Sequence, residues 1–233
     1  MSNVTEATCR INEIFYSLQG ESTWAGERCV FVRLTGCPLR CAYCDTEYAF
    51  REGETMMIAN IVKEIERVGK GCDLVEITGG EPLVQKNVHT LIDQLLEMGK
   101  TILIETSGAC DISVCDPRVI RIMDIKTPAS GESHRNDWNN IDHLTKQDEV
   151  KFVICNRADY DWSKNVIDKY DLSLRVKSVL VSAAGEMAPG QEVEGVAGMN
   201  VRDLTDWVLE DHLPVKLQVQ LHKIIWDPAM RGV

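Results

Sequence analysis

Apolar and polar positions alternate between two rhythms along this chain. Short apolar, β-branched runs fall at residues 28–36 ("RCVFVRLTG"), 73–78 ("DLVEIT") and 101–106 ("TILIET"). Four more follow at 118–126, 149–155, 177–183 and 215–220. Their length and composition predict strands. Between them, apolar residues recur every three or four positions, which predicts helices. Residues 55–69 place Met57, Ile58, Ile61, Val62, Ile65 and Val68 on one face. Residues 84–99 do the same with Val84, Val88, Leu91, Ile92 and Leu95, and Gly99 supplies a stop. Residues 158–170 and 200–212 are the remaining helices, the last with Asn200 as N-cap.

Strands alternating with helices imply parallel strands joined by crossovers, an α/β fold. Six or seven strands suit an incomplete or complete α/β barrel, or a doubly wound sheet, and the pattern does not choose among them. In each case ligands gather at the C-terminal strand ends. The unusual residues lie there: Cys37 after the first strand, "TGGEP" after the second, "ETSG" after the third, "DIKTP" after the fourth and "QLH" after the last. These five segments predict one composite site.

The chain has 233 residues, enough for one large domain or two small ones, and no repeat or proline-rich linker divides it. It is read as one domain, 1–233. Its formal net charge of −11 repels phosphate backbones and anionic lipid, so neither nucleic acid nor membrane is expected as a partner. A local basic pocket can still take a small anion. The N-terminus lacks a basic segment followed by an apolar run, which predicts a cytoplasmic protein. Nine cysteines in a reducing compartment are not a disulfide framework. Six of them are scattered and read as small buried hydrophobes.

The other three stand close together, in "GCPLRCAYCDT", as Cys37-x3-Cys41-x2-Cys44. Structural zinc wants four ligands, and the nearest histidine, His89, is remote; a zinc site could still recruit Cys9 or Cys29. An electron-carrying cluster also wants four cysteines. The third possibility is an iron–sulfur cluster on three thiolates with one iron left open for chemistry.

"CPLRCAYCDT" resembles the cluster motif of the radical S-adenosylmethionine superfamily, with Tyr43 before the last cysteine. "ITGGEP" resembles the glycine-rich strand end that binds the methionine amino group there. Taken in order, "EIFYSLQGES", "FVRLTGCPLRCAYCDT", "ITGGEPL", "IETSG" and "QVQLHK" are similar to the 7-carboxy-7-deazaguanine synthase family, across about residues 12–223.

That resemblance implies a partial βα barrel of mostly parallel strands. It implies conversion of 6-carboxy-5,6,7,8-tetrahydropterin to 7-carboxy-7-deazaguanine, with loss of ammonia, through a 5′-deoxyadenosyl radical. The cofactors would be a 4Fe-4S cluster on Cys37, Cys41 and Cys44, S-adenosylmethionine, and Mg2+ on Thr46. S-adenosylmethionine would be lined by Tyr43, Cys44, Asp45, Gly79, Gly80, Glu81, Glu105, Ser107 and the Asp124-Ile125-Lys126 segment, where the family usually has Ser-Pro-Lys. Substrate would be met by Leu18, Gln19, Gly20, Arg33, Thr78 and His222. Arg33 suits a carboxylate and Gln19 a pterin edge. Family members often end soon after the histidine, whereas this chain continues with "IIWDPAMRGV". A flavodoxin-type electron donor and a homodimer are further family expectations. A glycyl-radical enzyme activase, or a metal-stabilised binding module without catalysis, are the alternatives.

Overall fold

A computed structural model describes residues 7–185, 198–227 and 230–233. Nine strands form one sheet: β1 (Thr8–Leu18), β2 (Arg28–Leu34), β3 (Glu54–Met57), β4 (Leu74–Gly79), β5 (Thr101–Thr106), β6 (Ile120–Asp124), β7 (Glu149–Ile154), β8 (Ser178–Ala183) and β9 (Lys216–Gln218). The helices are α1 (Ile58–Gly69), α2 (Val88–Glu97), α3 (Arg157–Lys169), α4 (Leu172–Arg175), α5 (Val201–Glu210) and α6 (Leu221–Ile225). The strand order is β3-β1-β2-β4-β5-β6-β7-β8-β9. From β2 to β9 every neighbouring pair is parallel, while β1 runs antiparallel to both β2 and β3. The sheet does not close, since β3 and β9 are its two outer strands. Of the three architectures the sequence left open, the incomplete barrel is the one that forms.

Two strands depart from the sequence pattern. β1 carries no apolar run, yet it pairs along seven register positions with β2. β3 takes residues 54–57, so the helix expected from 55 begins at Ile58. Met57 is extended and 47% exposed, because pairing with Thr8 at the sheet edge turns it out of the helical stripe. Val84 likewise leaves the α2 stripe: it sits in a short 3₁₀ turn begun by Pro82 and is 43% exposed. Asn200 caps α5 as expected, its Oδ1 accepting from the Arg202 N–H at 2.8 Å.

Alternate strand side chains point to opposite faces. On one face Val30, Val32 and Leu34 of β2, Val75 and Ile77 of β4, and Ile102 and Ile104 of β5 pack with α1 and α2 into one buried cluster. Val150, Phe152 and Ile154 of β7 and Val179 and Val181 of β8 pack with α3, α4 and α5 into a second. The opposite face carries Arg33, Glu76, Thr78, Glu105, Asp124 and Lys151, which line a cavity. The helices cover one side of the sheet and leave the other for chemistry.

The β6–β7 junction is held by a buried ion pair. Asp148 accepts from the Arg121 backbone N–H at 2.9 Å and from its guanidinium at 3.1 and 2.6 Å. Its second oxygen also accepts from the Thr145 N–H and hydroxyl. Removing one partner leaves a desolvated charge. Asp148→Ala should therefore cost ~3–5 kcal/mol, read as a lowered urea midpoint; an unchanged midpoint would show that the pair does not hold this junction.

Candidate active site

The cavity is about 450 Å³ and opens at the C-terminal ends of the parallel strands. Three groups of residues build it. The strands supply the floor, the loop after β2 brings the cysteines, and the segments after β1 and β9 close the far side.

Cys37, Cys41 and Cys44 all line this cavity, half-buried and unpaired. Their loop is pinned by an Ala42 N–H bond to the Ser130 carbonyl, at 3.0 Å. Glu132 adds a bond from the Arg40 N–H at 2.7 Å. Burial raises all three thiols, Cys41 to about 11. Two glycines let the loop lie against β4. A Cβ on Gly79, where φ is +147°, would come within 2.3 Å of the Leu34 carbonyl oxygen. On Gly80 it would meet the Gly36 oxygen at 2.4 Å and the Cys37 Cβ at 2.6 Å. The glycines of "TGGEP" are thus required by chain against chain, before any ligand is considered.

Arg33 stands at the rim of β2. Its Nε donates to Glu13 at 2.7 Å, and its guanidinium lies 5.9 Å from the ring centroids of both Phe15 and Tyr48. Tyr48 donates its hydroxyl to the same Glu13 oxygen at 3.1 Å. Burial opposes the charge on Arg33, but Tyr48 and Glu13 outweigh it and raise its pKa. One side of the guanidinium is therefore fixed and the other is left for an anion.

The floor holds a charged set. Lys151 on β7 reaches Glu21 at 2.9 Å and Glu105 at 3.3 Å. Burial works against its charge, but Glu105 and Glu21 outweigh it and lift its pKa well above the lysine value. Lys126 pairs with Asp124 at 2.8 Å and stands 5.7 Å over the Tyr43 ring. The other Asp124 oxygen and the Tyr43 hydroxyl are buried without a hydrogen-bond partner, and both residues line the cavity.

On the far side, Leu18, Gln19 and Gly20 end β1 and also line the cavity. The Gln19 amide is already engaged: its Oε1 accepts from the Glu21 N–H at 2.9 Å and its Nε2 donates to Glu76. His222 packs so tightly on Gly20 that a Cβ there would lie 2.5 Å from its Nδ1. Burial lowers the pKa of His222, keeping the ring neutral at pH 7. Lys223 pairs with Asp45 at 2.7 Å. Residues 230–233 return to the same cavity, with Arg231 lying 3.7 Å over the Tyr48 ring and bonded to Glu52 at 2.9 Å.

Nearly every candidate from the sequence meets in this cavity; Glu81 and Ile125 do not. Glu81 is buried beneath it, where its carboxylate accepts from Thr106, Ser107 and the Leu83 N–H and so braces neighbouring strand ends. The Ile125 side chain faces the second apolar cluster. Ser107 reaches the wall with its hydroxyl already donated to Glu81 at 2.5 Å. Glu21, Glu76, Lys151, Tyr48, Lys223 and Arg231 line the cavity without having been singled out. Charged residues at alternate positions inside apolar strands, as in "VEIT" and "VKFV", were the available signal for Glu76 and Lys151.

The three thiols suit a cluster. Among the described residues no three Cys, His, Asp or Glu side chains converge as ligands of a single ion must. A multi-iron cluster takes one thiolate per iron and accepts that spread. The Thr46 hydroxyl faces the same cavity, 3.8 Å from the Cys44 sulfur, and offers a hard oxygen for a cation.

Comparison with known proteins places these features in a family. The family model of the Radical SAM superfamily matches residues 31–181. The 7-carboxy-7-deazaguanine synthase of Koribacter versatilis is 44% identical over 226 residues, 96% of this chain and 100% of that protein. That of Chlorobaculum tepidum is 40% identical over 232 residues, 98% of this chain and 99% of its own. The crystal structure of QueE from Escherichia coli shares the fold, with TM-score 0.69 over 91% of this chain and 94% of that one, at 21% identity. The cysteine loop, the glycine-bounded strand end and the open parallel sheet thus belong together: the chain is a member of the radical S-adenosylmethionine superfamily and, within it, of the 7-carboxy-7-deazaguanine synthase family.

Proposed function

We propose that the chain is a radical S-adenosylmethionine lyase that converts 6-carboxy-5,6,7,8-tetrahydropterin to 7-carboxy-7-deazaguanine with loss of ammonia. The observation that carries this reading is the meeting of two sites in one cavity: three unpaired thiols on one side, and the braced Arg33 guanidinium on the other. A glycyl-radical activase must admit a segment of protein, and nothing in the cavity favours that over a small carboxylated ligand.

Cys37, Cys41 and Cys44 would hold a 4Fe-4S cluster, and Thr46 a magnesium ion. S-adenosylmethionine would lie between them and the strand ends, against Tyr43, Asp45, Gly79, Gly80, Glu105, Asp124 and Lys126. When bound, the cluster and S-adenosylmethionine would supply the radical chemistry for hydrogen abstraction. The protein's own task is placement and exclusion of water. Arg33 grips the substrate carboxylate with the side that Glu13 leaves open. Thr78, in register with Arg33 on the next strand, faces the same end of the ligand. Neutral His222 can donate or accept from the far side, and Leu18, Gln19 and Gly20 form the wall behind it. Phe15 and Phe31, stacked 4.9 Å apart, give the cavity a flat apolar side suited to a bicyclic ring.

The setting follows from the same reading. A flavodoxin-type protein would deliver electrons and the chain would act as a homodimer, each protomer a single domain over 1–233. All nine cysteines are unpaired, which suits a cytoplasmic enzyme. Among the described residues no helix is long and apolar enough to cross a membrane.

The protein, reconstituted with iron and sulfide under anaerobic conditions, reduced and supplied with S-adenosylmethionine, magnesium and the carboxytetrahydropterin, should form the deazaguanine, detected by mass spectrometry. Cleavage of S-adenosylmethionine without that product would reject the substrate. Arg33→Ala should raise KM about 10- to 100-fold, the loss of a charge-assisted pair, while uncoupled cleavage of S-adenosylmethionine persists; an unchanged KM removes Arg33 from the substrate's contacts. Thr46→Ala should abolish the response of activity to added magnesium. Full magnesium dependence in that variant would move the ion elsewhere.

A further inference from the structure

We propose that Glu76 is the specificity-determining residue for the amino-pyrimidine edge of the ligand, accepting from its exocyclic amino group and adjacent ring N–H. The inference rests on the pterin reading above and goes beyond it, because it assigns the end of the ring remote from the carboxylate.

Glu76 sits on β4 with its side chain on the cavity face and only 2% exposed. One carboxyl oxygen accepts from the Gln19 amide. Among the described residues the other oxygen has no protein donor, though it belongs to a residue on the cavity wall. No cation among those residues pairs with it directly, because Lys151 is paired with Glu21 and Glu105 and Arg33 with Glu13. Burial, with Glu105 and Glu21 close by, raises the Glu76 pKa well above the carboxylate range, and Lys151 and Arg33 offset only part of that; a ligand with paired N–H donors favours the ionised form that accepts them. This is an acceptor on the cavity wall with capacity left for a ligand's donors.

Its position defines the ligand that fits. Arg33 is in register with Thr78, and Phe31 with Glu76, so Glu76 lies two residues deeper on the same face. Two strand residues span ~6.6 Å, about the reach of a fused bicyclic ring. A ligand whose carboxylate meets Arg33 at the rim therefore brings its opposite edge down to Glu76, with its plane against Phe31. In a pterin that edge carries a 2-amino group beside N3–H, two parallel donors like those of a guanidinium. A carboxylate takes such a pair in two parallel hydrogen bonds. The bond from Gln19 fixes the carboxyl plane beforehand.

Two probes differing only at this edge provide the test: 6-carboxypterin, with a 2-amino group, and 6-carboxylumazine, with a 2-oxo group. Binding is measured by calorimetry on the reconstituted protein with S-adenosylmethionine and magnesium. The wild-type protein should prefer the pterin about 10- to 100-fold. Glu76→Gln keeps an acceptor for Gln19, so a role confined to positioning Gln19 would leave that preference in place. The proposal expects Glu76→Gln to lose it, through weaker binding of the pterin, while Arg33→Ala weakens both probes alike. Equal binding of the two probes by the wild-type protein overturns the assignment without any variant, as does a preference that survives in Glu76→Gln. If neither probe binds the wild-type protein, the pterin reading itself falls and this inference with it.

Discussion

Lys151 lies buried between Glu21 and Glu105, and the charge balance of the cavity depends on that arrangement. A lone ammonium in such a place would lose its proton, and a lone carboxylate would gain one. Together they stay ionised: Lys151 is raised by its two acids, and Glu21 is held below the usual range, because Lys151 and the Gln220 amide outweigh its burial. Glu105 receives less. Burial pushes its pKa up, and the shared lysine offsets only part of that. Glu76 has the Gln19 amide as its hydrogen-bond donor, and the more remote Lys151 and Arg33 offset only part of its burial. One lysine among three carboxyl groups thus creates a graded set, from Glu21, held below the usual carboxylate range, to Glu76, raised well above it. The arrangement also ties three distant parts of the chain, since the partners come from β7, β5 and the segment after β1.

A second constraint joins fold to chemistry at the β2–β4 boundary. Parallel strands must come close enough for Leu34 to lie beside Gly79, and the cysteine loop leaves β2 directly over that point. Any side chain at Gly79 or Gly80 would enter the Leu34 or Gly36 backbone. The bare backbone that family resemblance associates with a bound methionine is therefore also what seats the loop bearing Cys37. Glu81 continues the same motif downward, tying β4 to the end of β5 through Thr106 and Ser107. Within "TGGEP" the glycines set separation and the glutamate sets strand alignment.

How far the sequence could be read depends on which forces act locally. The parallel strands and their helices were legible because burial against α1 to α5 writes a period of two or 3.6 into the residues. β1 was not, because it lies at the antiparallel margin, where Glu13, Tyr16 and Ser17 are half-buried or exposed and no apolar run is required. β3 hid inside a helical stripe, since Met56 and Met57 suit either period until Thr8 and Cys9 arrive to pair with them. That the cysteine motif, Arg33 and His222 would meet in one cavity was legible from spacing and resemblance. Lys151, Glu21 and Arg231 were not, because their meaning lies in contacts across 46 to 179 residues of chain, which no local pattern records.

The acidic surface and the cavity follow opposite rules. A net charge of −11 should turn small anions away. Yet Arg33, Lys126, Lys151, Lys223 and Arg231 all reach one cavity. Each of them is matched by an acid of the protein: Glu13, Asp124, Glu21 with Glu105, Asp45, and Glu52. Long-range attraction is therefore small, and selection rests on geometry at contact. In the proposed reading a carboxylated ligand would share Arg33 with Glu13, beside the Phe15 and Tyr48 rings. Pre-paired charges of this kind need little reorganisation when ligand arrives, because their partners already fix their direction. Such a cavity discriminates by the placement of its donors and acceptors more than by the sign of its field.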